Sequence, residues 1–479
     1  MHPLYRSSSS LDKRCYDQFN LTEDILMENA SLGMANYIRS NFPRGLSLLI
    51  VAGVGNNGAD GIVLARLLSG YCDVKLHIPF GVKSDMATLQ LDRVKKLGID
   101  IVDEISRSDI VVDAIFGAGL SRELDSDTIY IVEALNMLDG FKLSCDIPTG
   151  ITIDGNPMPV AFRADTTITM GALKEALYSD NAKDYVGEIV CVELGVAREV
   201  YEIPSSSYLL EESDIKLPCR GSKSTHKGSF GHLAVISGEK EGASILTAMA
   251  SMRFGVGLTT LIGDIESHLP YTLMQGIDLP SNTTAIAFGM GFGSEFDSTI
   301  VDDIVSSSIP IVLDADIFHH KILSRFVEQK DRDILLTPHP KEFVALWNRT
   351  IRDIDRSNYE MLDIATLQSN RFLYVRKFCA IYPHVTLLLK GANMIIAQDD
   401  KLFVNPYGSS KLSKGGSGDV LSGLIGSLLA QGYTAIDAAT TASLALTSAA
   451  KAYNGSSYAM LPTDLIEEIA NLEKNSDTI

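Results

Sequence analysis

A glycine-rich segment near the C-terminal end limits most strongly what this sequence can fold into. Residues 414–423 read KGGSGDVLSG, and glycines favour neither helix nor strand because they lose the most backbone freedom on ordering. Apolar residues at helical spacing follow, from Val420 to Leu429, and the pattern ends at Gln431. The segment therefore predicts a loop that opens into a buried helix. Free N–H groups and the positive end of the helix dipole make such a loop an anion site, most often for phosphate.

Asp419 stands at the start of this predicted helix, where a carboxylate usually serves as a cap. Beside bound phosphate the same carboxylate would repel the ligand, so a catalytic role is the more specific interpretation. For the loop alone, a glycine-rich turn with a capping Asp is the simpler one. The choice between them depends on the residues upstream.

Composition excludes several classes of function. A chain of 479 residues exceeds one ordinary core, so two or three domains are expected. With 46% hydrophobic and 21% charged residues the chain is globular rather than disordered. A net charge of −19 argues against nucleic acid or an anionic membrane as partner, although small anions need only a local positive site.

Cysteines and apolar runs indicate the compartment. The six cysteines are scattered without a CxxC pair, which is typical of reduced thiols. No apolar run reaches membrane length, and the N-terminal residues lack an apolar signal core. The expected compartment is the cytoplasm.

The first half contains a glycine loop in the context of a nucleotide-binding fold. Residues 46–51 predict a buried strand, which enters Gly53, Gly55 and Gly58 in G-x-G-x-x-G spacing before a helical pattern. A Rossmann dehydrogenase should carry an acid at the end of its second strand, but the nearby Asp73 lies at the wrong end. The loop therefore predicts a nucleotide-type cradle and disfavours ordinary hydride transfer.

Polar residues follow further predicted strands of the first half. Asp113 comes after residues 110–112, and Asp146 and Thr149 come after residues 143–145. In an open parallel sheet these side chains and Asn57 would converge at the carboxyl edge, where ligands bind. Together they supply hard oxygen ligands for a cation and a carboxylate for proton transfer, although each alone is more often a turn residue or a cap. Lys174 could approach this edge, but we expect it to be solvated.

The second half repeats the alternation of strands and helices. The composition changes near residues 204–207, and we expect one domain over residues 1–205 and another over 210–479. Polar loops follow the predicted strands, among them 314–316, 337–343 and 390–393. This rhythm predicts an α/β fold for both halves.

Several motifs of the second half resemble the ribokinase-like family, in which a G-x-G-D loop forms the anion hole and its Asp acts as base. More narrowly, HKG at 226–228, HPKEF at 339–343, KGA at 390–392 and GGSGD at 415–419 resemble the NAD(P)H-hydrate dehydratases. The first half resembles the NAD(P)H-hydrate epimerases through EN at 28–29, GNNGADG at 55–61, FGAG at 116–119 and DIPTG at 146–150. The resemblance covers nearly the whole chain, and the ordered set is more specific than any single motif. It implies a Rossmann-like doubly wound domain followed by a ribokinase-like domain.

For the first half, the resemblance implies interconversion of the R and S hydrates of NADH or NADPH. Asp146 would contact substrate and is the candidate for acid–base catalysis, and Asn57, Asp113 and Thr149 would hold K⁺. The other residues implied to bind the hydrate are Asn56, Asn57, Gly58, Ala59, Asp60, Gly117, Ala118, Gly119, Leu120, Ser121, Arg122 and Glu123.

For the second half, the resemblance implies removal of water from the S hydrate at the expense of ADP or ATP, with Mg²⁺. Asp419 would take the hydroxyl proton, and His339, Ala243, Gly291 and Gly293 would line the hydrate pocket. The residues implied to bind nucleotide are Lys390, Gly391, Ala392, Asn393, Met394, Gly416, Ser417 and Gly418. A homo-oligomer is expected, since family members commonly assemble.

Two alternatives stay open at this point. A ribokinase-like vitamin or sugar kinase fused to a nucleotide-binding module would yield a stable phosphorylated product. A non-enzymatic first domain would serve only for docking, but such a surface would not need the polar set of Asn57, Asp113, Asp146 and Thr149.

Overall fold

The computed structural model describes residues 1–120, 122–293, 298–351 and 361–472. The chain divides into two compact units, one comprising residues 2–206 and the other residues 207–479 together with Met1. Within the described ranges, no helix is both long and apolar enough to cross a membrane.

The first unit alternates strands with helices along most of its length. Its strands are β1 (His2–Tyr5), β2 (Ser47–Ala52), β3 (Asp73–His77), β4 (Asp100–Val102), β5 (Ile110–Ala114), β6 (Phe141–Cys145), β7 (Thr166–Met170), β8 (Leu173–Lys174) and β9 (Glu188–Val192). Its helices are α1 (Ser9–Phe19), α2 (Glu23–Asn41), α3 (Asn56–Leu68), α4 (Asp85–Lys96), α5 (Ser126–Met137), α6 (Lys183–Val186) and α7 (Arg198–Tyr201).

Seven strands of the described first unit form a parallel sheet in the order β4-β3-β2-β5-β6-β7-β9. The chain builds outward from β2 in one direction and then resumes at β5 in the other, so the strand order reverses between β2 and β5. In a doubly wound sheet this reversal opens a crevice at the carboxyl edge. The core residues of β2 and β5 are fully buried on both faces, as expected for parallel strands covered by helices.

The second unit has the same alternation. Its strands are β10 (Ser207–Leu209), β11 (His232–Ile236), β12 (Leu258–Ile262), β13 (Met274–Gly276), β14 (Ala285–Phe288), β15 (Ile311–Leu313), β16 (Ile334–Leu336), β17 (Val385–Leu389), β18 (Met394–Gln398) and β19 (Lys401–Asn405). Its helices are α8 (Glu241–Arg253), α9 (Ser298–Ser306), α10 (Leu323–Val327), α11 (Pro340–Thr350), α12 (Ile364–Ser369), α13 (Arg371–Ile381), α14 (Ser417–Ala430), α15 (Ala435–Ala452) and α16 (Pro462–Ile469).

The strands of the second unit pair in the order β13-β12-β11-β14-β15-β16-β17-β18-β19-β10. From β13 to β17 the strands are parallel, whereas β18 pairs antiparallel with both β17 and β19. The order reverses between β11 and β14, so this sheet has its own switch point. Helix α14 is buried along nearly its whole length, as its continuous apolar pattern predicts. The predicted α/β class is confirmed in both units.

Candidate functional site

The loop after β2 brings the start of α3 close to β5. A Cβ on Gly53 would lie 2.0 Å from the carbonyl oxygen of Ile115, and one on Gly58 would lie 1.9 Å from the carbonyl oxygen of Gly53. Only glycine fits these two positions. The tight turn starts α3 at Asn56, beside the point where the strand order reverses.

Asp113 and Thr149 form a buried pair at this edge. The Thr149 hydroxyl donates to Asp113 Oδ1 over 2.7 Å, the Thr149 amide donates to Oδ2 over 2.8 Å, and the Ile115 amide donates to Oδ1 over 3.2 Å. Burial raises the pKa of Asp113 to about 6, and these hydrogen bonds oppose the rise. Asp113 lies within β5 rather than after it, because the strand extends to Ala114.

Asn57 lies near Asp146 at the same edge. A Cβ on Gly117 would lie 2.9 Å from Asn57 Oδ1 and 3.3 Å from Asp146 Oδ2, so both side chains reach the backbone of the loop after β5. The Nδ2 atom of Asn57 is buried and has no hydrogen-bond partner. Since a buried amide without a partner costs free energy, this atom is a sign that a ligand belongs here.

Asp146 has a left-handed backbone with φ of 69°, directly after β6. This conformation is uncommon outside glycine and occurs often at functional sites. The side chain turns toward β7, where the Thr169 hydroxyl and the Met170 amide both donate to Oδ1 over 3.2 Å. Lys174 Nζ also donates to Oδ1, over 2.6 Å, and the lysine side chain is only 1% exposed. The expectation of a solvated Lys174 is therefore wrong, since this lysine is buried in an ion pair.

These groups surround a cavity of about 580 Å³ in the first unit. Of the residues predicted to bind the hydrate, those that line it are Asn56, Asn57, Asp60, Gly117, Ala118, Gly119, Leu120 and Asp146. Gly58 and Ala59 are buried in the first turn of α3 and do not line the cavity, nor do the exposed Arg122 and Glu123. Ser121 lies outside the described residues.

Three further carboxyl groups line this cavity, from Asp12, Glu23 and Asp60. Burial raises the pKa of Asp60 well above its ordinary value, and the charges of Asp146, Asp12 and Glu23 raise it further. Burial also raises the pKa of Asp12, whose Oδ1 accepts a hydrogen bond of 2.6 Å from the Tyr201 hydroxyl. The cavity thus combines one carboxyl group paired with a lysine and two carboxyl groups, of Asp12 and Asp60, whose pKa is raised.

The glycine loop of the second unit opens into α14 as predicted. The helix begins at Ser417, and the residue before it, Gly416, has a φ of 98° and provides no side-chain cap. Asp419 lies inside the first turn, so interpreting it as the cap is wrong. The pKa of Asp419 is raised to about 6. Burial is the largest cause, the charge of Asp314 adds to the rise, and the charge of Lys390 opposes it.

Asp314 and Lys390 form an ion pair beside this loop. Lys390 Nζ donates to Asp314 Oδ1 over 2.6 Å, and the Ser422 hydroxyl donates to Oδ2 over 2.7 Å. Asp314 is 1% exposed. A Cβ on Gly418 would lie 3.3 Å from Lys390 Nζ, so the lysine reaches the start of α14. The C-terminal ends of β15 and β17 therefore lie beside the anion loop.

His339 caps α11 at the same edge of the sheet. Its Nδ1 accepts from the Glu342 amide over 3.1 Å, and Glu342 Oε2 accepts from the His339 amide over 2.8 Å. Burial and the charge of Lys390 lower the pKa of His339, so its imidazole is neutral at pH 7. Burial raises the pKa of Glu342 to about 7, with Asp314 adding to the rise.

The remaining predicted residues of the second unit fall into two groups. A Cβ on Gly291 would lie 3.0 Å from the Cβ of Ala243, so the loop after β14 lies against the start of α8. In the same loop, the Gly293 amide donates to Asp316 Oδ2 over 2.9 Å. After β17, Gly391 is half-buried, Ala392 is exposed, Asn393 is buried, and the Met394 side chain packs into the hydrophobic core.

Sequence reasoning missed the partners of the predicted residues: Lys174, Asp314 and Ser422. Asp314 directly follows a predicted strand, which is a usable signal. Its pairing with Lys390 depends on β15 and β17 flanking β16, and this order is visible only in the sheet. Ser422 follows Asp419 by three positions, the spacing of one helical face, and this signal could have found it.

Comparisons with known proteins agree with this division. Residues 23–176 match the family described as "YjeF-related protein N-terminus", and residues 233–471 match the family described as "NAD(P)H-hydrate dehydratase". The chain is 39% identical to a bifunctional NAD(P)H-hydrate repair enzyme of Helicobacter pylori, over 98% of this chain and 100% of that protein. It is 30% identical to the enzyme of the same name from Coxiella burnetii, over 94% of each chain.

Among solved structures, the chain is similar to an ADP/ATP-dependent NAD(P)H-hydrate dehydratase from Bacillus subtilis co-crystallised with ATP and Mg²⁺. The identity is 24% and the TM-score 0.47, over 56% of this chain and 98% of that one. Because the similarity to the Helicobacter pylori protein extends over almost every residue of both chains, this chain belongs to the family of bifunctional NAD(P)H-hydrate repair enzymes.

Proposed function

We propose that residues 1–205 of this repair enzyme interconvert the R and S hydrates of NAD(P)H, and that residues 210–479 dehydrate the S form at the expense of ADP or ATP. The observation that carries the proposal is the placement of the two carboxylates Asp146 and Asp419. Asp146 is paired with Lys174, and Asp419 lies beside the pair of Lys390 and Asp314; both carboxylates lie at the carboxyl edge of parallel strands, where ligands of such sheets bind.

In the first unit, Asp146 is the proposed acid–base group. Epimerisation requires the bond between the hydrated carbon and oxygen to break and reform, with protons leaving and returning. Asp146 Oδ2 faces Gly117 on the cavity wall, where it can exchange a proton with a bound hydrate. A volume of about 580 Å³ suits a nicotinamide nucleotide head group.

Asn57, Asp113 and Thr149 fit a K⁺ ion. They offer amide, carboxylate and hydroxyl oxygens, which are hard ligands, and the buried Asn57 amide has an atom without a partner. The O and N atoms of an amide exchange places by a simple flip, which would turn the carbonyl oxygen toward this position. The ion would supply positive charge that holds polar groups of the substrate.

In the second unit, Asp419 is the proposed base. It would accept the proton of the hydrate's hydroxyl while that oxygen takes the terminal phosphoryl group of ADP or ATP, accompanied by Mg²⁺. The amides of residues 416–418 would hold the transferring phosphoryl group. The carbon–oxygen bond then breaks and the oxygen leaves as phosphate, a far better leaving group than hydroxide. The neighbouring ring carbon releases a proton to solvent, so that the ring double bond of the reduced nicotinamide is restored.

The remaining residues of the second unit would bind the two substrates. Lys390 reaches the start of α14 and would contact the nucleotide together with residues 391–394. His339 would bind the hydrate as a neutral imidazole, since burial lowers its pKa. Ala243, Gly291 and Gly293 would complete the pocket. A homo-oligomeric assembly, measurable by light scattering, is also part of the proposal.

Recovery of absorbance at 340 nm tests the division of labour. With an R/S mixture of NADH hydrate, Mg²⁺, K⁺ and either ADP or ATP, the wild-type protein should recover all absorbance and identify its phosphate donor. Asp146→Asn should stop at the S fraction, apart from slow spontaneous epimerisation. Asp419→Asn should recover almost no absorbance on the wild-type timescale, while chromatography should still show interconversion of the epimers. An epimerase-active Asp146→Asn enzyme would overturn the role of that residue.

A further inference from the structure

Lys174 lies behind Asp146, which lines the epimerase cavity. Its side chain is 1% exposed, yet its ammonium has four hydrogen-bond acceptors. They are Asp146 Oδ1 at 2.6 Å, Thr169 Oγ1 at 2.9 Å, and the carbonyl oxygens of Met170 and Ala172 at 3.1 and 3.3 Å. Burial of a lysine is costly without such compensation. The fold therefore provides a complete set of partners for one ammonium group at this point.

The contacts of Asp146 divide between its two oxygens. Oδ1 accepts hydrogen bonds from Lys174, Thr169 and the Met170 amide. Oδ2 has none of these donors and lies on the opposite side, toward Gly117 and the cavity. One oxygen is thus anchored to β7 and β8, and the other is presented to the ligand.

We propose that Lys174 is a positioning residue for Asp146, holding Oδ1 so that Oδ2 stays directed at the hydrated carbon of the substrate. This inference rests on the proposed acid–base role of Asp146. Lys174 itself does not touch the substrate, since its ammonium is occupied by protein acceptors and shielded behind Asp146. Its effect on the reaction passes through the carboxylate.

Lys174 also brings a positive charge into the surroundings of Asp146. The titratable groups that face Asp146 are Asp12 on α1, Asp60 on α3, Cys145 on β6 and Cys191 on β9, besides Lys174. Burial raises the pKa of the two aspartates and of the two thiols. Lys174 places its positive charge 2.6 Å from Asp146 Oδ1, and removing that charge would disfavour the ionised carboxylate.

Lys174→Met, which keeps the length of the side chain and removes its charge, tests the inference. We expect kcat for epimerisation to fall by about ten- to a hundredfold, as when a partner that orients a reacting group is lost, with KM little changed. The acid limb of the pH profile should move to higher pH by about one unit. Dehydration of pure S hydrate should be unchanged, which would show that the second unit is folded and binds its substrates.

Lys142→Met is the matched control. Lys142 is a half-buried lysine of β6 whose Nζ donates to the Leu138 carbonyl, so its loss should leave the epimerase pH profile in place. Thr169→Val is the second test, for the case that Lys174→Met does not fold. It removes a hydroxyl that contacts both Asp146 and Lys174 while keeping a β-branched shape, and it should move the acid limb in the same direction by less.

The outcomes separate this inference from the proposed function. If Asp146→Asn is inactive but Lys174→Met and Thr169→Val keep the wild-type pH profile and kcat, the positioning role is overturned and the role of Asp146 stands. If Asp146→Asn remains active, the proposed function fails first. Equal losses in Lys174→Met and Lys142→Met would assign the effect to stability and would also overturn the inference.

Discussion

Acidification should slow dehydration of the S hydrate, because Asp419, as the proposed base, must be ionised to accept the hydroxyl proton. Its pKa is raised to about 6, first by burial and then by the charge of Asp314. Only the ionised fraction is active as a base. The rate constant kcat/KM for the hydrate should therefore be nearly level above neutrality and should fall as the pH drops through about 6.

The size of this change follows from the titration. A carboxyl with a pKa of about 6 is about 90% ionised at pH 7 and about 10% ionised at pH 5, so the rate should fall roughly tenfold across this interval. Asp419→Asn, which cannot accept the proton, should lower the rate by about 10²- to 10⁴-fold at every pH. The residual activity should lose the acid limb.

Two neighbouring charges should move the limb in opposite directions. Asp314→Asn removes a negative charge that raises the pKa of Asp419, so the limb should move to lower pH by roughly one unit. Lys390→Met removes the opposing positive charge, so the limb should move to higher pH. Ser422→Ala deletes a hydrogen bond to Asp314 without changing the charge, and it serves as the matched control.

The assay is absorbance recovery at 340 nm with pure S hydrate at saturating nucleotide and Mg²⁺, between pH 5 and 8. Titration of the nucleotide itself is common to all variants and cancels when their profiles are compared. Chemical decay of the hydrate at each pH is subtracted from a reaction without enzyme. A limb that stays in place in both charge variants, or an Asp419→Asn enzyme with near wild-type rates, would refute the reasoning.

Three further changes test the geometry of the two units. Gly117→Ala should slow epimerisation at least tenfold, measured by chromatography of the epimers, because its Cβ would lie 2.9 Å from Asn57 Oδ1. Replacement of K⁺ by tetramethylammonium should slow epimerisation. Activation by K⁺ should also weaken below pH 6, because the pKa of Asp113 is about 6 and a protonated carboxyl is a poor ligand. Titrations with K⁺ at pH 5.5 and 7.5 measure this change. Gly416→Ala should lower the free energy of unfolding by about 1–3 kcal/mol in denaturant titrations, since this position has a φ of 98° and its Cβ would meet the Pro462 ring at 2.5 Å.

The strand and the helix that flank the two glycine loops are predicted from the sequence, because their signals are local. Residues 46–51 predict a strand, and β2 spans Ser47–Ala52. The helix predicted after the glycine loop to end at Gln431 spans Ser417–Ala430. In both cases an uninterrupted apolar pattern and a glycine boundary coincide, so that local preference and burial favour the same structure. Strand order is not a local property, and it became visible only in the sheet.

The candidate site divides in the same way. Candidate residues at strand ends or in glycine loops, such as Asp146 and Asp419, are chosen from the sequence because the carboxyl edge of a parallel sheet is where ligands bind. The partners of these residues are not found. Lys174 was expected to be solvated because lysines seldom lie in the interior, yet four acceptors on three neighbouring segments compensate its burial. Such compensation depends on tertiary contacts that no spacing rule contains.

The two lysine–aspartate pairs place their positive charge differently, and this difference matches the two reactions. In the first unit Lys174 pairs with Asp146, the proposed acid–base group, which suits a group that must give and take a proton from one fixed position. In the second unit Lys390 pairs with Asp314, a neighbour of the proposed base Asp419, and its ammonium also reaches the anion loop. There the positive charge is available to the phosphoryl group, while Asp419 keeps a raised pKa and hence a stronger basicity toward a hydroxyl proton. A lysine paired with Asp419 would weaken that carboxylate as a base. Without a lysine beside it, the Asp146 carboxylate would lose its anchor and would face Asp12 and Asp60.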